Sequence, residues 1–402
     1  MNMADNGKIY KYYPCNKYSL NILRSNRLFF SHPSNFNDPF DSSELLVKPY
    51  RKFCDSIWLK HIDEIFENAL MGKILPHRID YNLPEIKDEM FDLRCNRILL
   101  HLCNLLKPDI GHLKEKYGKK HIGVVIATSN GGIDEYESVP NIEYLKMSNP
   151  AEFLQKHLDL ENIALSVSTA CSSGIKVFST AKRLLDNGIC EAVIAGGVDA
   201  LSKLPIAGFK ALEVLCDDLT NPFSKNRHGM NIGEAGALFI LEKNACGAKV
   251  MGIGETSDAY NAATPDPEAK EAVRAICIAL EDAGVKPEDI GYINLHGTGT
   301  LANDLMEAAA VNRVFGDEIL AGSTKPLTGH CLGAAASIET ALCLKVLETG
   351  RVLPHLYDGI YDESLPKIKL VDINDKNVYN ISQCVCNSFG FGGTNAVMVI
   401  GK

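Results

Sequence analysis

The chain has 402 residues, 46% of them hydrophobic and 23% charged, which is enough apolar material for a sizeable core. Its net charge of −9 argues against nucleic acid as a partner, because a phosphate-binding protein usually carries a basic face. No apolar run reaches the roughly 18 residues of a membrane helix, and the polar N-terminus lacks the apolar core of a secretion signal. We therefore expect a cytoplasmic protein whose 13 cysteines stay reduced.

Residues 1–60 form the first predicted segment, because their composition differs from that of the rest. They are rich in Tyr, Asn, Phe and Ser, hold the only tryptophan, Trp58, and contain a turn-rich loop at 34–42. Two halves of one larger unit follow, at 61–248 and 249–402. A helix is predicted over 92–106, and a shorter one ends near Gly118.

From residue 122 onward, short apolar runs alternate with helical patterns, and the second half repeats the pattern of the first. Strands are predicted at 122–127, 164–167, 192–195, 235–241, 249–252, 291–295, 319–320, 384–386 and 396–400. Helices are predicted at 175–186, 267–283, 304–314 and 333–347. Such alternation indicates an α/β fold with mostly parallel sheets covered on both faces, and two similar halves suggest an internal duplication.

Cys171 lies in the run STACSSG at 168–174, between a predicted strand and an amphipathic helix. Unpaired N–H groups at a helix start stabilise a thiolate, so we expect a lowered thiol pKa and a nucleophile at this position. The alternative is a buried core cysteine, which is the default for any one cysteine among 13.

Two histidines follow in glycine- and threonine-rich settings, His296 in HGTGT and His330 in KPLTGH. A loop tip that follows a rigid strand suits a catalytic side chain, and one thiol with two imidazoles indicates covalent acyl chemistry. Lys325 and Glu339 flank His330. A buried pair would position that histidine and tune its protonation, whereas an exposed pair would contribute little.

The run NSFGFGGTN at 387–395 joins the last two predicted strands. Glycines permit unusual backbone angles that let free N–H groups face a ligand, and Phe391 among them is a candidate gate of a pocket. A plain glycine-rich turn is the alternative. The run is a weak candidate for a phosphate-binding loop, because no Lys-Ser/Thr pair completes it.

Together these residues resemble a β-ketoacyl-[acyl-carrier-protein] synthase, a condensing enzyme of the thiolase superfamily. The resemblance runs from about residue 65 to 402. It is carried by STACSSG, PFSKNRHGMNIGEAGALFIL at 222–241, GETSDAY at 254–260, HGTGT with Asn303-Asp304, KPLTGHCLGAAASIE at 325–339 and NSFGFGGTNA at 387–396. The pair of histidines separates the chain from thiolases, which pair two cysteines. Residues 94–97 and 117–132 look closest to the subgroup found in aryl-polyene clusters.

The resemblance implies a thiolase-like αβαβα fold with two five-stranded sheet layers. It also implies decarboxylative condensation of a malonyl carrier with an acyl group held as a thioester on Cys171, in fatty acid, aryl-polyene or polyketide synthesis. The backbone N–H groups of Cys171 and Phe391 would form the oxyanion hole, and Phe391 would gate the two half-reactions.

The other site residues are also implied by the resemblance. His296 and His330 would drive decarboxylation and stabilise the enolate. Lys325 with Glu339 would hold His330 in place. Contacts with the pantetheine arm or the substrate would come from Thr298, Thr300, Phe389, Gly390 and Gly392.

The resemblance implies no metal and no diffusible cofactor, because the substrates ride on the phosphopantetheine of an acyl carrier protein. That carrier is the expected partner, and a homodimer through the strand at 192–195 is expected, or a heterodimer with a second ketosynthase-like subunit. Since the carrier is acidic, we expect a basic patch at the pocket mouth, with Lys203, Lys210, Lys225 and Arg227 as candidates.

The chain departs from the family at its N-terminus, where the usual first strand and its glycine-containing loop are missing. Residues 1–55 look like the opening of an unrelated bacterial domain. Either this segment supplies a substitute strand, with residues 27–30 as the candidate, or the site is weakened by unpaired backbone. Two alternatives to an active synthase remain: a catalytically weak partner subunit or scaffold, like the chain-length factors that lack the cysteine, and a thiolase acting on coenzyme A thioesters.

Overall fold

The computed structural model describes residues 56–58, 83–243 and 247–402. Five strands form the first sheet: β1 (Ser56–Trp58), β2 (Ile122–Ala127), β3 (Ala164–Val167), β4 (Ala192–Asp199) and β5 (Glu234–Glu242). Their order across the sheet is β1-β5-β4-β2-β3, and only the β4–β5 pair is antiparallel. β2 and β4 are buried along their whole length, as continuous apolar runs predict for strands covered on both faces.

The second sheet contains β6 (Lys249–Ser257), β7 (Tyr292–Asn294), β8 (Leu320–Gly322), β9 (Lys369–Leu370), β10 (Gln383–Gly390) and β11 (Thr394–Gly401). Their order is β6-β11-β10-β7-β8-β9. Every predicted strand of this half is confirmed, although most bounds differ by several residues. The two-residue β9 was not predicted, and it adds a sixth strand to the five that the resemblance implied.

Eight helices of two or more turns lie in the described residues: α1 (Arg94–Leu105), α2 (Lys107–Tyr117), α3 (Asn149–His157), α4 (Ser173–Asp186), α5 (Lys203–Ala211), α6 (Lys270–Ala283), α7 (Leu301–Phe315) and α8 (Ala335–Thr349). Shorter helical turns lie at Lys119–His121, Ile133–Tyr136, Ile142–Leu145, Pro287–Asp289, Lys325–Thr328 and Leu332–Ala334. α3 and α5 were not predicted. No helix in the described part of the chain is long and apolar enough to cross a membrane.

The hydrophobic core shows how these elements are layered. Helices α4 and α8 lie between the two sheets, where Phe178 and Leu342 share one cluster with Val193 of the first sheet and Met398 of the second. α1, α2 and α3 cover the outer face of the first sheet, and α6 and α7 cover the outer face of the second. The predicted αβαβα layering is therefore confirmed.

The two halves share one strand order. If β6, β7, β8, β10 and β11 are counted as strands one to five of the second half, both sheets read 1-5-4-2-3. The predicted substitute strand at 27–30 lies outside the described residues. Ser56–Trp58 occupies the first-strand position instead, and it lies at the edge of the sheet rather than in its centre.

The expected dimer strand at 192–195 is corrected by the sheet order. These residues belong to β4, which already pairs with β2 on one side and β5 on the other. A strand with both neighbours in place has no free backbone groups for another chain. Within the described sheet, β3 is the edge strand on this side.

Candidate active site

Cys171 follows β3 in a tight turn and precedes α4, as predicted. Ala170 has a φ of +52°, a conformation that costs a non-glycine residue about 1–3 kcal/mol. Two hydroxyls hold the turn: Ser172 Oγ donates to the Thr169 carbonyl at 2.7 Å, and Ser173 Oγ donates to the Ala170 carbonyl at 2.6 Å. The turn fixes the thiol, which is only 3% exposed, at the start of the helix.

The two histidines are fixed through their backbones. The N–H groups of His296 and Gly297 donate to the two carboxylate oxygens of Glu307, each at 2.7 Å. The N–H of His330 donates to the Asn231 carbonyl at 2.7 Å, just before the chain enters α8. Both imidazoles are almost fully buried.

The structure brings the thiol and both imidazoles together from three distant parts of the sequence. Nε2 of His330 lies 3.0 Å from Sγ of Cys171. The rings of His296 and His330 are nearly perpendicular, with centroids 5.2 Å apart. One ligand atom from each of the three side chains lies within 4.8 Å of the others.

Hydrogen bonds at Nδ1 decide where the ring protons lie. The N–H of Leu332 donates to Nδ1 of His330 at 3.1 Å, and the ammonium of Lys325 approaches Nδ1 of His296 at 3.5 Å. An Nδ1 that accepts must be unprotonated, so each neutral ring carries its proton on Nε2. Burial, and secondly the charge of Lys325, holds the pKa of both histidines well below its ordinary value. Two Nε2–H donors therefore face the site.

Lys325 and Glu339 form a buried ion pair, with 2.6 Å between Nζ and Oε1. The alternative of an exposed pair is therefore wrong. The resemblance implied that this pair would hold His330, but the ammonium lies against Nδ1 of His296, while the N–H of Leu332 occupies Nδ1 of His330. The pair therefore lies against the first histidine, while the second has a backbone donor.

Burial raises the pKa of the Cys171 thiol to about 11. The charge of Lys325 and the backbone N–H groups of Phe391 and Cys171 lower this pKa by less. The lowered thiol pKa expected from the helix start is therefore wrong for this site, because loss of water outweighs the favourable donors. The thiol is protonated at neutral pH and needs help to ionise.

The turn between β10 and β11 packs directly against the thiol. Gly392 and Gly393 have φ of +84° and +72°, which L side chains rarely adopt. A Cβ on Gly390 would lie 3.2 Å from the backbone nitrogen of Cys171. The N–H groups of Phe391 and Cys171 both hydrogen-bond the thiol, so two donors converge where an acyl oxygen would develop charge.

Two cavities meet at this turn. The first, of about 330 Å³, is lined by both histidines and by all five residues expected to contact the pantetheine arm or the substrate: Thr298, Thr300, Phe389, Gly390 and Gly392. The second, of about 370 Å³, is mainly apolar and is lined by Cys171, Phe209, Leu212 and Leu332 among others. Phe391 lines both cavities, and its ring centroid lies 5.3 Å from that of Phe209. One aromatic side chain thus stands between the two spaces.

Cys171, His296 and His330 are close enough to hold a metal ion. Their protons argue against one, because a metal would take the lone pair of Nε2 in both rings. Each ring would then carry its proton on Nδ1, facing the Leu332 N–H or the Lys325 ammonium. The donor set does not fit a resident metal.

The chain matches two family models, "Beta-ketoacyl synthase, N-terminal domain" over residues 94–245 and "Beta-ketoacyl synthase, C-terminal domain" over residues 247–357. It is 32% identical over 315 residues to 3-oxoacyl-[acyl-carrier-protein] synthase 2 of Coxiella burnetii, a match that covers 70% of this chain and 75% of that protein. The chain belongs to the β-ketoacyl synthase family.

The chain is also similar to two further proteins. Nodulation protein E of Rhizobium leguminosarum bv. trifolii is 37% identical over 255 residues, which span 60% of this chain and 62% of that protein. The chain thus spans a little less than two thirds of that relative. Among solved structures, the complex of ketosynthase ApeO with its chain length factor ApeC from Xenorhabdus doucetiae matches with a TM-score of 0.78 and 32% identity, covering 85% of this chain and 94% of that one.

Two buried carboxylates that shape this site were not predicted from the sequence, and a third, Asp304, was noted only as part of a motif. Glu307 holds the His296 turn, and Asp304 accepts from the N–H of Phe223 at 2.8 Å. Asp199 ends β4 and accepts from the turn that follows β2. The sequence signal for these carboxylates was an acidic residue at a position that the hydrophobic pattern predicts to be buried. A buried carboxylate needs hydrogen-bond donors around it, so such a residue indicates a structural role.

The predicted basic patch is only partly at the surface. Arg227 is buried and lies 2.5 Å from Asp362, so it ties two segments together instead of facing a partner. Lys203 and Lys225 are exposed, and Lys210 is half-buried. The prediction of a four-cation patch is therefore wrong for Arg227, and Lys203, Lys210 and Lys225 remain as candidates.

Proposed function

We propose that this chain is a β-ketoacyl-[acyl-carrier-protein] synthase that joins an acyl group held on Cys171 to a malonyl carrier with loss of CO₂. The contact of 3.0 Å between Sγ of Cys171 and Nε2 of His330, where an apolar cavity meets one lined by both histidines, carries the proposal. A thiol facing the apolar cavity suits a hydrocarbon chain, and two Nε2–H donors suit a carbonyl oxygen.

In the first half-reaction the Cys171 sulfur attacks the carbonyl carbon of the acyl carrier thioester. Cys171 releases its proton to solvent, a carbon–sulfur bond forms to Cys171 as the bond to pantetheine breaks, and the pantetheine thiolate takes up a proton from solvent. The N–H groups of Cys171 and Phe391 stabilise the tetrahedral oxyanion. Because the thiol pKa is about 11, the Nε2–H of His330 is the group that stabilises the thiolate before attack.

In the second half-reaction the malonyl carrier loses CO₂, and the electron pair of the broken carbon–carbon bond is left in an enolate. The Nε2–H groups of His296 and His330 donate to its oxygen. The enolate carbon then attacks the acyl carbonyl, a carbon–carbon bond forms, and the Cys171 thiolate leaves and regains a proton from solvent. Burial and the Lys325 charge keep His296 neutral, so it donates a hydrogen bond without protonating the enolate.

The residue roles follow from this scheme. Lys325 with Glu339 orients His296, Phe391 gates the two cavities, and Thr298, Thr300, Phe389, Gly390 and Gly392 contact the pantetheine arm or the substrate. No metal or diffusible cofactor takes part. The division into halves at 61–248 and 249–402 is part of the proposal and is supported by their separate sheets. The segment at 1–60 is proposed as the third part, although its residues Ser56–Trp58 pair with β5 in the first sheet.

The partners and setting are part of the same proposal. The substrates arrive on an acyl carrier protein, and a second ketosynthase-like subunit, identical or related, pairs with this one. The similarity to a ketosynthase solved with its chain length factor supports that assembly and the aryl-polyene subgroup. The edge strand β3 offers free backbone groups for it. The ten cysteines of the described residues are free thiols, which supports a cytoplasmic location.

The test is intact-protein mass spectrometry of the full-length protein after incubation with acyl carrier protein charged with chains of several lengths. We expect an acyl adduct on the wild type that Cys171→Ala abolishes. The matched control is Cys277→Ala, which removes an exposed cysteine of α6 and should keep the adduct. No adduct on folded wild type at any chain length would contradict the proposal and favour a catalytically weak partner subunit. Adducts from coenzyme A thioesters alone would favour a thiolase.

A further inference from the structure

Asp199 is a buried carboxylate to which neither half-reaction assigns a role. It ends β4, is fully buried, and accepts hydrogen bonds from Thr128 Oγ1 at 2.9 Å and from the N–H groups of Ser129 and Asn130 at 2.8 Å each. The backbone of Gly333 packs against it, since a Cβ on Gly333 would lie 2.9 Å from Oδ2, and the Gly333 N–H lowers the carboxyl pKa. One acceptor therefore joins the first sheet, a wall of the apolar cavity beside Cys171, and the turn that follows His330.

The turn after His330 has a strained backbone. Leu332 has a φ of +51°, in the left-handed region that costs a non-glycine residue about 1–3 kcal/mol. Its N–H is the donor that reaches Nδ1 of His330 at 3.1 Å. The next N–H along the chain, that of Gly333, is the one that lowers the pKa of Asp199. The carboxylate of Asp199 thus holds the Gly333 end of the strained turn, while Nδ1 of His330 accepts the N–H of Leu332 at the other end.

We propose that Asp199 is a positioning residue for His330. Its carboxylate holds the Leu332–Gly333 turn so that the Leu332 N–H meets Nδ1 and the ring proton stays on Nε2, facing Cys171. Without the Asp199 carboxylate the turn relaxes toward an ordinary backbone conformation. The His330 ring then loses the Leu332 N–H donor at Nδ1, which favours the tautomer with the proton on Nε2. The consequence for catalysis rests on the proposed function, but the tautomer of His330 can be measured in the resting protein.

An acceptor with no proton of its own is required here. All four groups that meet Asp199 donate, so an amide in its place would turn its NH₂ toward another N–H. Burial raises the pKa of Asp199 to about 6, yet the carboxyl is ionised at neutral pH. Asp199→Asn is therefore a nearly isosteric change that breaks the hold.

The test is ¹⁵N NMR of histidine-labelled protein, with the signals of His330 assigned by His330→Gln. We expect a protonated Nε2 and a bare Nδ1 in the wild type, and a mixture of both tautomers in Asp199→Asn. The rate at which iodoacetamide alkylates Cys171, read by mass spectrometry at pH 7.5, should fall roughly tenfold, because the donor to its thiolate is lost. Neither readout needs substrate.

Glu307→Gln is the matched control, since it removes a buried carboxylate that holds the His296 turn and should leave both readouts of His330 unchanged. If Asp199→Asn fails to fold, Gly333→Ala replaces it, because its Cβ would lie 2.9 Å from Asp199 Oδ2 while the charge stays. A wild type with the proton on Nδ1, or a folded variant with an unchanged tautomer and alkylation rate, overturns the role of Asp199. A tautomer shift in a protein that never accepts an acyl group would support this role and refute the proposed function.

Discussion

The two halves of this chain each fix one turn in the same way, and the two turns carry different residues. Each half has a turn directly after its second strand, β2 or β7, and each turn is held by one buried carboxylate that accepts two consecutive backbone N–H groups. In the first half Asp199 holds Ser129 and Asn130. In the second half Glu307 holds His296 and Gly297.

The difference lies in what each turn carries. The first-half turn lines the apolar cavity beside Cys171, whereas the second-half turn carries His296 of the candidate active site. Asp199 ends a strand and Glu307 lies on α7, so the two carboxylates come from different elements. The duplicated framework thus supplies two fixed turns. The residues on each turn decide whether it lines a cavity or carries a reactive side chain.

The halves also differ at their first strand. β1 runs parallel to β5, whereas β6 runs antiparallel to β11 in the equivalent place. The described part of β1 has three residues, and β6 has nine. The two halves thus share their strand order, but the strand in the first position of the first half has the opposite direction, and its described part pairs with β5 over three residues.

The largest effect should follow from crowding the second-half turn. In Gly297→Ala the new Cβ would lie 2.5 Å from Cβ of Ser323, at a φ of +35°, so the turn that carries His296 must shift. Decarboxylation of malonyl carrier should fall roughly 10²- to 10³-fold, with acylation of Cys171 unchanged. Gly316→Ala is the control, since its φ is +76° but nothing lies within 4 Å. Normal decarboxylation by Gly297→Ala would contradict the role of the second-half turn in positioning His296.

The pH dependence of stability should differ between wild type and Glu307→Gln. Burial raises the pKa of Glu307 to about 7 from an ordinary 4.5, so the folded chain holds this proton more tightly than the unfolded chain. Stability present below pH 4.5 should be lost as the pH rises to about 7, by up to about 3 kcal/mol. Glutamine cannot ionise, so urea unfolding at pH 5 and pH 7.5 should show wild type losing stability relative to the variant. A change of the opposite sign would contradict this account.

The same Glu307→Gln variant should separate the two half-reactions. Glutamine offers one acceptor where two consecutive N–H groups and the amide of Asn387 need acceptors, so the His296 turn loosens. Decarboxylation should fall roughly 10- to 100-fold, the value of a hydrogen bond to a charged group, while acylation of Cys171 stays at the wild-type rate. Equal loss in both half-reactions would show that the two turns do not act independently.

The smallest effect concerns the first strand. Because the described part of β1 is three residues long, its amides should exchange with solvent a few-fold to about tenfold faster than those in the middle of β6. Hydrogen exchange of the wild type, followed by mass spectrometry, measures this directly. Equal protection would mean that the replaced strand is as stable as its counterpart.

Much of the fold could be predicted from the sequence, because buried parallel strands such as Ile122–Ala127 read as unbroken apolar runs. The short α5 escaped prediction, since its proline and glycine obscure the helical period. The three reactive side chains of the site were identifiable from their motifs. The partner of Lys325 among the histidines was not, because sequence proximity to His330 gives no information on which ring the ammonium reaches in three dimensions.

The direction of the Cys171 pKa was also beyond sequence reasoning. A helix start is visible in the pattern, but the burial that outweighs it is set by the folded structure, which brings even the backbone of Phe391, 220 residues away along the chain, to the thiol. The local rule was correct and the tertiary environment reversed its effect.

In the proposed reaction the first half supplies the nucleophile and the second half supplies the donors for decarboxylation. This division of labour can be tested by measuring both half-reactions on Cys171→Ala and His296→Ala, with acyl carrier and malonyl carrier proteins presented separately. We predict that Cys171→Ala takes no acyl group yet still releases CO₂ from malonyl carrier. His296→Ala should take the acyl group yet release CO₂ roughly 10²-fold more slowly. Loss of both half-reactions in both folded variants would contradict the division of labour between the halves.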